Sequence, residues 1–386
     1  MPRIAAYALL LVAPLLIGAG ESPAPDYAAD ARSIERLVNE DYAYLERFEN
    51  GRVPLSDKLR AEAEQVDSRD ELVRYAERAL TVLADHHAIT GSSLADSWAL
   101  VPSYSDLWIE PRGDAFAITA VREGSPAEQA GVRAGDGLVA IGAVPIAQAI
   151  ELFWADLGLP VTPERAGFAA RVLAAGRRSA PRHLTIAHGA EVRQLELPNL
   201  YFRQLLDRPV LSMEEQGGRL VIRFNDSLGD EATIAAFDRA MAQARPGHPV
   251  LLDLTDTASG GNTSVARAIM GWFVDRPTSY QMHSLPAEER QSGIARQWIE
   301  QVLPRAGKHH EGPVTVRVGR WTGSMGEGLA LGFDAIGARI EGGPMAGLLG
   351  AIYDYKLEQS GLTIKFPVER LFHIDGTPRE RFVPGR

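Results

Sequence analysis

Val314-Thr315-Val316-Arg317-Val318, then Gly319-Arg320-Trp321-Thr322-Gly323-Ser324, then Met325-Gly326-Glu327-Gly328-Leu329 read as a strand, a turn and a helix. Alternate apolar residues mark the strand, and Met325, Leu329, Phe333 and Ile336 recur at helical spacing. The same unit is written twice upstream. Residues 220–224 precede a helix carrying Ile234, Phe237, Ala240 and Met241; residues 250–254 precede one carrying Val265, Ile269, Trp272 and Phe273. This alternation predicts an α/β domain over 208–386 with a mainly parallel sheet covered by helices. Residues 286–303 read as a helical insertion, and 352–383 as further strands with a turn at Ser360-Gly361.

In such sheets, sites gather beyond the carboxyl ends of the strands. Two of those ends carry unusual residues: Ser259-Gly260-Gly261-Asn262 and Gly323-Ser324-Met325-Gly326-Glu327. Ser324 opens a helix, so unpaired backbone N–H groups lie beside its hydroxyl. A serine nucleophile needs that arrangement, because fixed donors must meet the oxyanion formed on attack. The Met325 amide is the first candidate donor, and Gly260 or Gly261 offers a second where no side chain blocks approach. Taken singly, Ser324 reads better as a helix cap and the glycines as a tight turn. Their occurrence on neighbouring strand ends favours a site.

Before this domain lie two others. Residues 21–103 are dominated by helical signals. Ser68-Arg69-Asp70-Glu71 is a capping box, and Leu72, Ala76, Ala79, Leu80 and Leu83 form one apolar stripe. Continued by four, the stripe reaches His87; a helix persisting that far turns His87 inward and His86 outward. Spacing alone reads both as surface histidines at a helix C-terminus, where the dipole favours a cation. Over 104–199 strands dominate, at 115–121, 137–141, 184–187 and 192–197. The run Glu123-Gly124-Ser125-Pro126-Ala127-Glu128-Gln129-Ala130-Gly131-Val132 and Arg133-Ala134-Gly135-Asp136 resembles the signature of bacterial-protease PDZ domains. Residues 163–175 look like a helical insertion. The resemblance implies capture of a peptide end by strand addition, although Tyr104-Ser105-Asp106-Leu107-Trp108 stands where a Gly-Leu-Gly carboxylate loop is expected.

Bulk properties narrow the function. The 386 residues exceed what one compact core organises. A net charge of −10 without a Lys/Arg cluster argues against nucleic acid and anionic lipid as partners. With no cysteine, there is no disulfide, thiolate zinc site or cysteine nucleophile. The scattered histidines and the isolated Gly342-Gly343 support neither a metal nor a nucleotide site, so no cofactor is expected. Arg3, an apolar stretch over 4–17 and Gly18-Ala19-Gly20 form a signal-peptide pattern over 1–20. The stretch is shorter than the ~20 residues that span a bilayer. A periplasmic or secreted protein with no membrane span after cleavage is expected.

The segments Val250-Leu251-Leu252-Asp253-Leu254…Gly260-Gly261-Asn262 and Trp321-Thr322-Gly323-Ser324-Met325-Gly326-Glu327, with the PDZ-like module and the N-terminal helices, resemble the carboxyl-terminal processing, or tail-specific, serine peptidases. The resemblance covers nearly the whole mature chain and implies a crotonase-like α/β catalytic domain. One branch of that family takes its base from a lysine about two dozen residues after the serine. Here Gly347-Leu348-Leu349-Gly350 occupies that region, and Lys356 and Lys365 read as surface charges. The other branch, typified by the tricorn core peptidase, takes a histidine from the N-terminal helical region. Asp85-His86-His87 resembles its Asp-Gly-His segment and assigns the base to His87. Arg379-Glu380-Arg381-Phe382-Val383-Pro384 resembles its Glu-x-x-Val-x-Pro stretch, so Glu380 would orient or balance the imidazole. Asp85 is a second candidate for that task, and His373 a reserve base. The implied function is metal-independent hydrolysis of a peptide or protein substrate through an acyl-enzyme on Ser324, by a monomer or a homo-oligomer. A catalytically inactive peptide- or lipid-binding relative, or a PDZ adaptor, is the alternative.

Overall fold

The computed structural model describes residues 24–202 and 208–385; the leader expected over 1–20 lies outside the described residues. Three helices come first, α1 (Tyr27–Asp41), α2 (Asp57–Ala63) and α3 (Arg69–Thr81). The Ser68 hydroxyl accepts from the Glu71 amide and starts α3 where the capping box predicts. Ile34, Leu59, Leu72 and Leu80 are fully buried between these helices, each contributing about 1.5–3 kcal/mol of burial.

The helix does not run on to His87. It stops at Thr81, Ala84 takes a φ of +46°, and His86-His87 occupy a turn. The chain then enters a short strand, β1 (Ile89–Thr90), paired antiparallel with Lys365 and Ile364 near the C-terminus. The N-terminal region expected over 21–103 is thus stitched into the C-terminal α/β unit, and that seam carries the histidines.

The PDZ-like module contains β2 (Leu107–Arg112), β3 (Ala115–Val121), α4 (Pro126–Gln129), β4 (Gly137–Ile141), β5 (Val144–Pro145), α5 (Ile146–Asp156), α6 (Pro163–Ala175), β6 (Arg182–His188) and β7 (Glu191–Leu197). Its sheet runs β2-β3-β4-β6-β7, with β5 on β4, leaving β2 and β7 as edges. Ser125 caps α4 with Pro126 in its first turn, and Gly131 ends that turn at a φ of +77°. The sequence reading assigned nothing to α5, although its buried Ile146, Ala149, Ile150 and Trp154 recur at helical spacing.

The C-terminal α/β unit holds β8 (Leu211–Gln216), β9 (Arg219–Phe224), α7 (Ala232–Met241), β10 (Val250–Asp253), α8 (Thr263–Met270), β11 (Thr278–Ser284), α9 (Pro286–Ser292), β12 (Gln297–Val302), β13 (Val314–Val318), α10 (Met325–Ala335), β14 (Arg339–Gly342), β15 (Ala351–Lys356) and β16 (Thr363–Phe372). One sheet runs β14-β13-β10-β9-β8; its first four strands are parallel, and β8 joins β9 as a hairpin. A second, antiparallel sheet runs β1-β16-β11-β12, with β15 on β16. The helical insertion expected over 286–303 is corrected: α9 ends at Gly293, which takes the left-handed conformation, and Gln297–Val302 forms a strand against β11. Among the described residues, no helix is long and apolar enough to cross a membrane.

Candidate active site

Ser324 stands at the carboxyl end of β13, where Gly323 and Ser324 turn the chain sharply into α10. A Cβ on Gly323 would lie 2.6 Å from the Ala258 carbonyl oxygen, so only glycine fits there. Its amide donates to the Thr257 carbonyl at 2.9 Å, tying the turn to the chain beyond β10. Ser324 itself has φ +51° and ψ −113°. A non-glycine residue in that region carries about 1–3 kcal/mol of strain, and this geometry lifts a side chain clear of the strand and helix on either side. The strain is held from behind by Glu327, whose fully buried carboxyl accepts from the amides of Ser324 (2.9 Å), Gly347 (2.8 Å) and Leu348 (3.2 Å). Burial pushes Glu327 up to about 7, against the opposing pull of Arg379 and the three amides.

Across the cleft is His87, buried while Ser324 is half-exposed. Its Nε2 lies 3.0 Å from Ser324 Oγ, and its Nδ1 lies 2.6 Å from the Leu349 carbonyl oxygen. A carbonyl can only accept, so Nδ1 carries the proton and the Nε2 lone pair faces the hydroxyl. Burial lowers His87 to about 4, helped by the nearby Arg379 guanidinium and opposed by the carbonyls of Leu349 and Gly350. The imidazole is therefore neutral through the neutral pH range and free to take a proton.

The turn that carries His87 is anchored by Asp85, whose Oδ1 accepts the His87 amide at 2.9 Å and whose Oδ2 accepts the Tyr42 hydroxyl at 2.9 Å. Burial raises Asp85 to about 6, with Arg47 and these two donors opposing. Asp85 thus holds the backbone of His87, not its ring.

The candidate oxyanion donors separate. Met325 heads α10 directly after Ser324. A Cβ on Gly260 would lie 4.0 Å from Ser324 Oγ, placing that backbone beside the hydroxyl. Gly261 serves packing: a Cβ there would come within 2.8 Å of Leu228 and Met325. Asn262 caps α8 through the Val265 amide.

Glu380 is not brought to the imidazole. The expected acid at Nδ1 is replaced by the Leu349 carbonyl, while Glu380 Oε2 and the Tyr44 hydroxyl are buried without hydrogen-bond partners. The neighbouring Arg379, also buried, does reach the site. It donates to the carbonyls of Ser324 (3.3 Å), Leu348 (3.0 Å) and Gly350 (2.7 Å). No sequence signal singled it out, since its acceptors are all backbone oxygens. His373 pairs instead with Asp334 and Asp375. His86 does not face outward as the helical spacing expects; it stacks on Phe168 of α6 at 4.3 Å.

Comparison with known proteins gives a consistent picture. A PDZ domain model matches residues 117–153. No curated protein matches the sequence. Among solved structures, a photosystem II D1 C-terminal processing protease superposes with a TM-score of 0.56 at 17% identity, covering 93% of this chain and 92% of that one. Mature CPAF complexed with lactacystin gives 0.57 at 14% identity, covering 93% and 92%. A lipoprotein from Streptococcus agalactiae gives 0.50 at 10% identity, covering 98% and 94%. The chain has the mixed α/β fold of the carboxyl-terminal processing proteases, with a PDZ domain.

Proposed function

We infer that this protein is an exported serine peptidase of the tail-specific kind, with a crotonase-like catalytic domain and an N-terminal helical region that supplies the base. One observation carries the reading: Ser324 Oγ, on a strained turn at a strand end, lies 3.0 Å from the Nε2 of an imidazole whose other nitrogen is committed to a backbone carbonyl. That is the relation of an activated nucleophile to its general base. Export is supported by the signal-peptide pattern over 1–20.

The chemistry follows from the geometry. Ser324 Oγ attacks the peptide carbonyl carbon as its proton passes to His87 Nε2. The resulting imidazolium keeps its Nδ1 proton on Leu349 O. The oxyanion meets the amides of Met325 and Gly260. Collapse breaks the C–N bond, His87 returns its proton to the leaving amine, and an acyl-enzyme remains. Water, deprotonated by the same nitrogen, then releases the acid and restores the serine. No step requires a metal.

Ser324→Ala is expected to abolish peptide turnover and labelling by a fluorophosphonate probe while leaving the circular dichroism and melting temperature close to native. Labelling that persists in the mutant would remove Ser324 as nucleophile. A native, folded wild type that the probe never labels would point instead to a binding protein on this scaffold.

A further inference from the structure

The helix α6, which the sequence shows as an insertion, lies where a PDZ ligand would. PDZ domains take a peptide by adding it as a strand to an open sheet edge. Here β2 is that edge, directly following the segment Tyr104–Leu107 where a carboxylate loop would stand. The helix packs along β2: a Cβ on Gly167 would lie 3.3 Å from Pro111, and Arg171 Nη1 donates to the Ile109 carbonyl at 3.1 Å. Covering an edge with a helix removes it as a template for further strands.

The same arginine reaches the other way. Arg171 Nε lies 3.0 Å from His86 Nε2, and Phe168, one turn earlier, stacks on that ring. Arg171 is half-buried, and its hydrogen-bond acceptors are a histidine ring and a backbone carbonyl, neither of them a carboxylate. Its guanidinium sits over the Trp108 ring, which Arg320 of the catalytic unit also covers, each at 5.0 Å. Burying a guanidinium without a bonded carboxylate is costly, and the two acceptors it satisfies are the ring of His86 and the PDZ edge. His86 in turn precedes the base.

We propose that α6 occupies the β2 edge in place of a peptide strand, and that Arg171 is a positioning residue that uses it to hold the His86-His87 turn against Ser324. The PDZ module then acts as an internal brace on the base and takes no carboxyl terminus at β2. This rests on the peptidase reading for its catalytic consequence, but not for its structural one.

The test compares Arg171→Met and Arg171→Lys with the wild-type chain by amide hydrogen exchange and by fluorophosphonate labelling rate. Methionine keeps the length and loses both donors; exchange at His87 and Ala88 should quicken, and labelling slow, by about tenfold or more. Lysine restores one donor and should fall between. Wild-type values for both measurements in the lysine and methionine variants would overturn the proposal. Should the methionine variant not fold, the lysine variant decides by the same two readings. A wild type that takes no label would sink the peptidase reading alone, because the exchange result still judges the brace. In a second arm, a fluorescent ten-residue peptide with a free carboxylate is titrated into the Ser324→Ala protein. No saturable protection of β2 amides is expected; protection there on binding would show that the edge is open.

Discussion

The two turns that meet at the site are built in opposite ways. The nucleophile turn is mostly local: β13 delivers it, Gly323 permits it, and Glu327, three residues on, holds the Ser324 amide. The base turn has one local support, Asp85, and otherwise leans on distant chain. His87 is fixed by Leu349 through its ring and by Asp85 through its amide; Asp85 leans on Tyr42, and His86 on Phe168 and Arg171. A nucleophile can be encoded in seven consecutive residues, whereas its base here depends on four separate stretches of chain. The difference predicts that the serine survives disturbance better than the histidine's aim.

The largest expected effect probes the base directly. His87→Ala should lower kcat by about 10⁴-fold, the upper range for general base catalysis, while His373→Ala leaves it near native. The wild-type pH profile sharpens the point. A histidine lowered to about 4 is protonated only below that pH. The acid limb of kcat/KM should therefore lie near pH 4, not at the 6.5 of an unperturbed imidazole, and an acid limb at 6.5 would mean that the ring is solvated in the working enzyme.

The next largest effect falls on the residue that joins the two turns. Arg379 donates to the Ser324 carbonyl on one side and to Leu348 and Gly350, either side of the carbonyl that holds His87, on the other. Arg379→Met takes that donor from the Leu348 and Gly350 carbonyls, at about 1–3 kcal/mol each, while the Ser324 carbonyl keeps the Gly328 amide, and should cut kcat by about a hundredfold if it misaims the ring by an ångström. It also removes the cation that lowers His87, so the acid limb should move to higher pH. A fall in activity without that movement would reduce Arg379 to a packing role.

Much of this was legible because it is local. The strands β9, β10 and β13, the helices behind them, the glycine pair and the Ser324 turn all announce themselves by period and punctuation. The capping box at Ser68 placed the start of α3 but could not show its end, because Ala84 leaves helical geometry without a glycine to mark it. Strands β8, β11, β12 and β14 were missed or misread for a related reason. In Gln297–Val302 the buried side chain is Val302 alone, so an edge strand carries too little apolar signal to compete with the helical start at Pro286. The contacts that hold the base were least visible, since Leu349 acts through a carbonyl that every residue possesses. No side chain records it.

The smallest expected effect separates two neighbours in the chain. Glu380 was expected to support the imidazole; the structure turns its neighbour Arg379 into the site and leaves Glu380 Oε2 without a partner. Glu380→Gln keeps the shape and removes the charge. Without a hydrogen bond to His87 to lose, the change should alter the labelling rate by less than about threefold, in contrast to the loss at Arg379. Hydrogen bonds at a catalytic site often tighten only when substrate arrives. A fall of a hundredfold or more in Glu380→Gln would therefore mean that the carboxylate engages the imidazole during turnover. The Leu349 carbonyl would then be a resting partner of Nδ1, and the base turn would have to shift as the substrate binds.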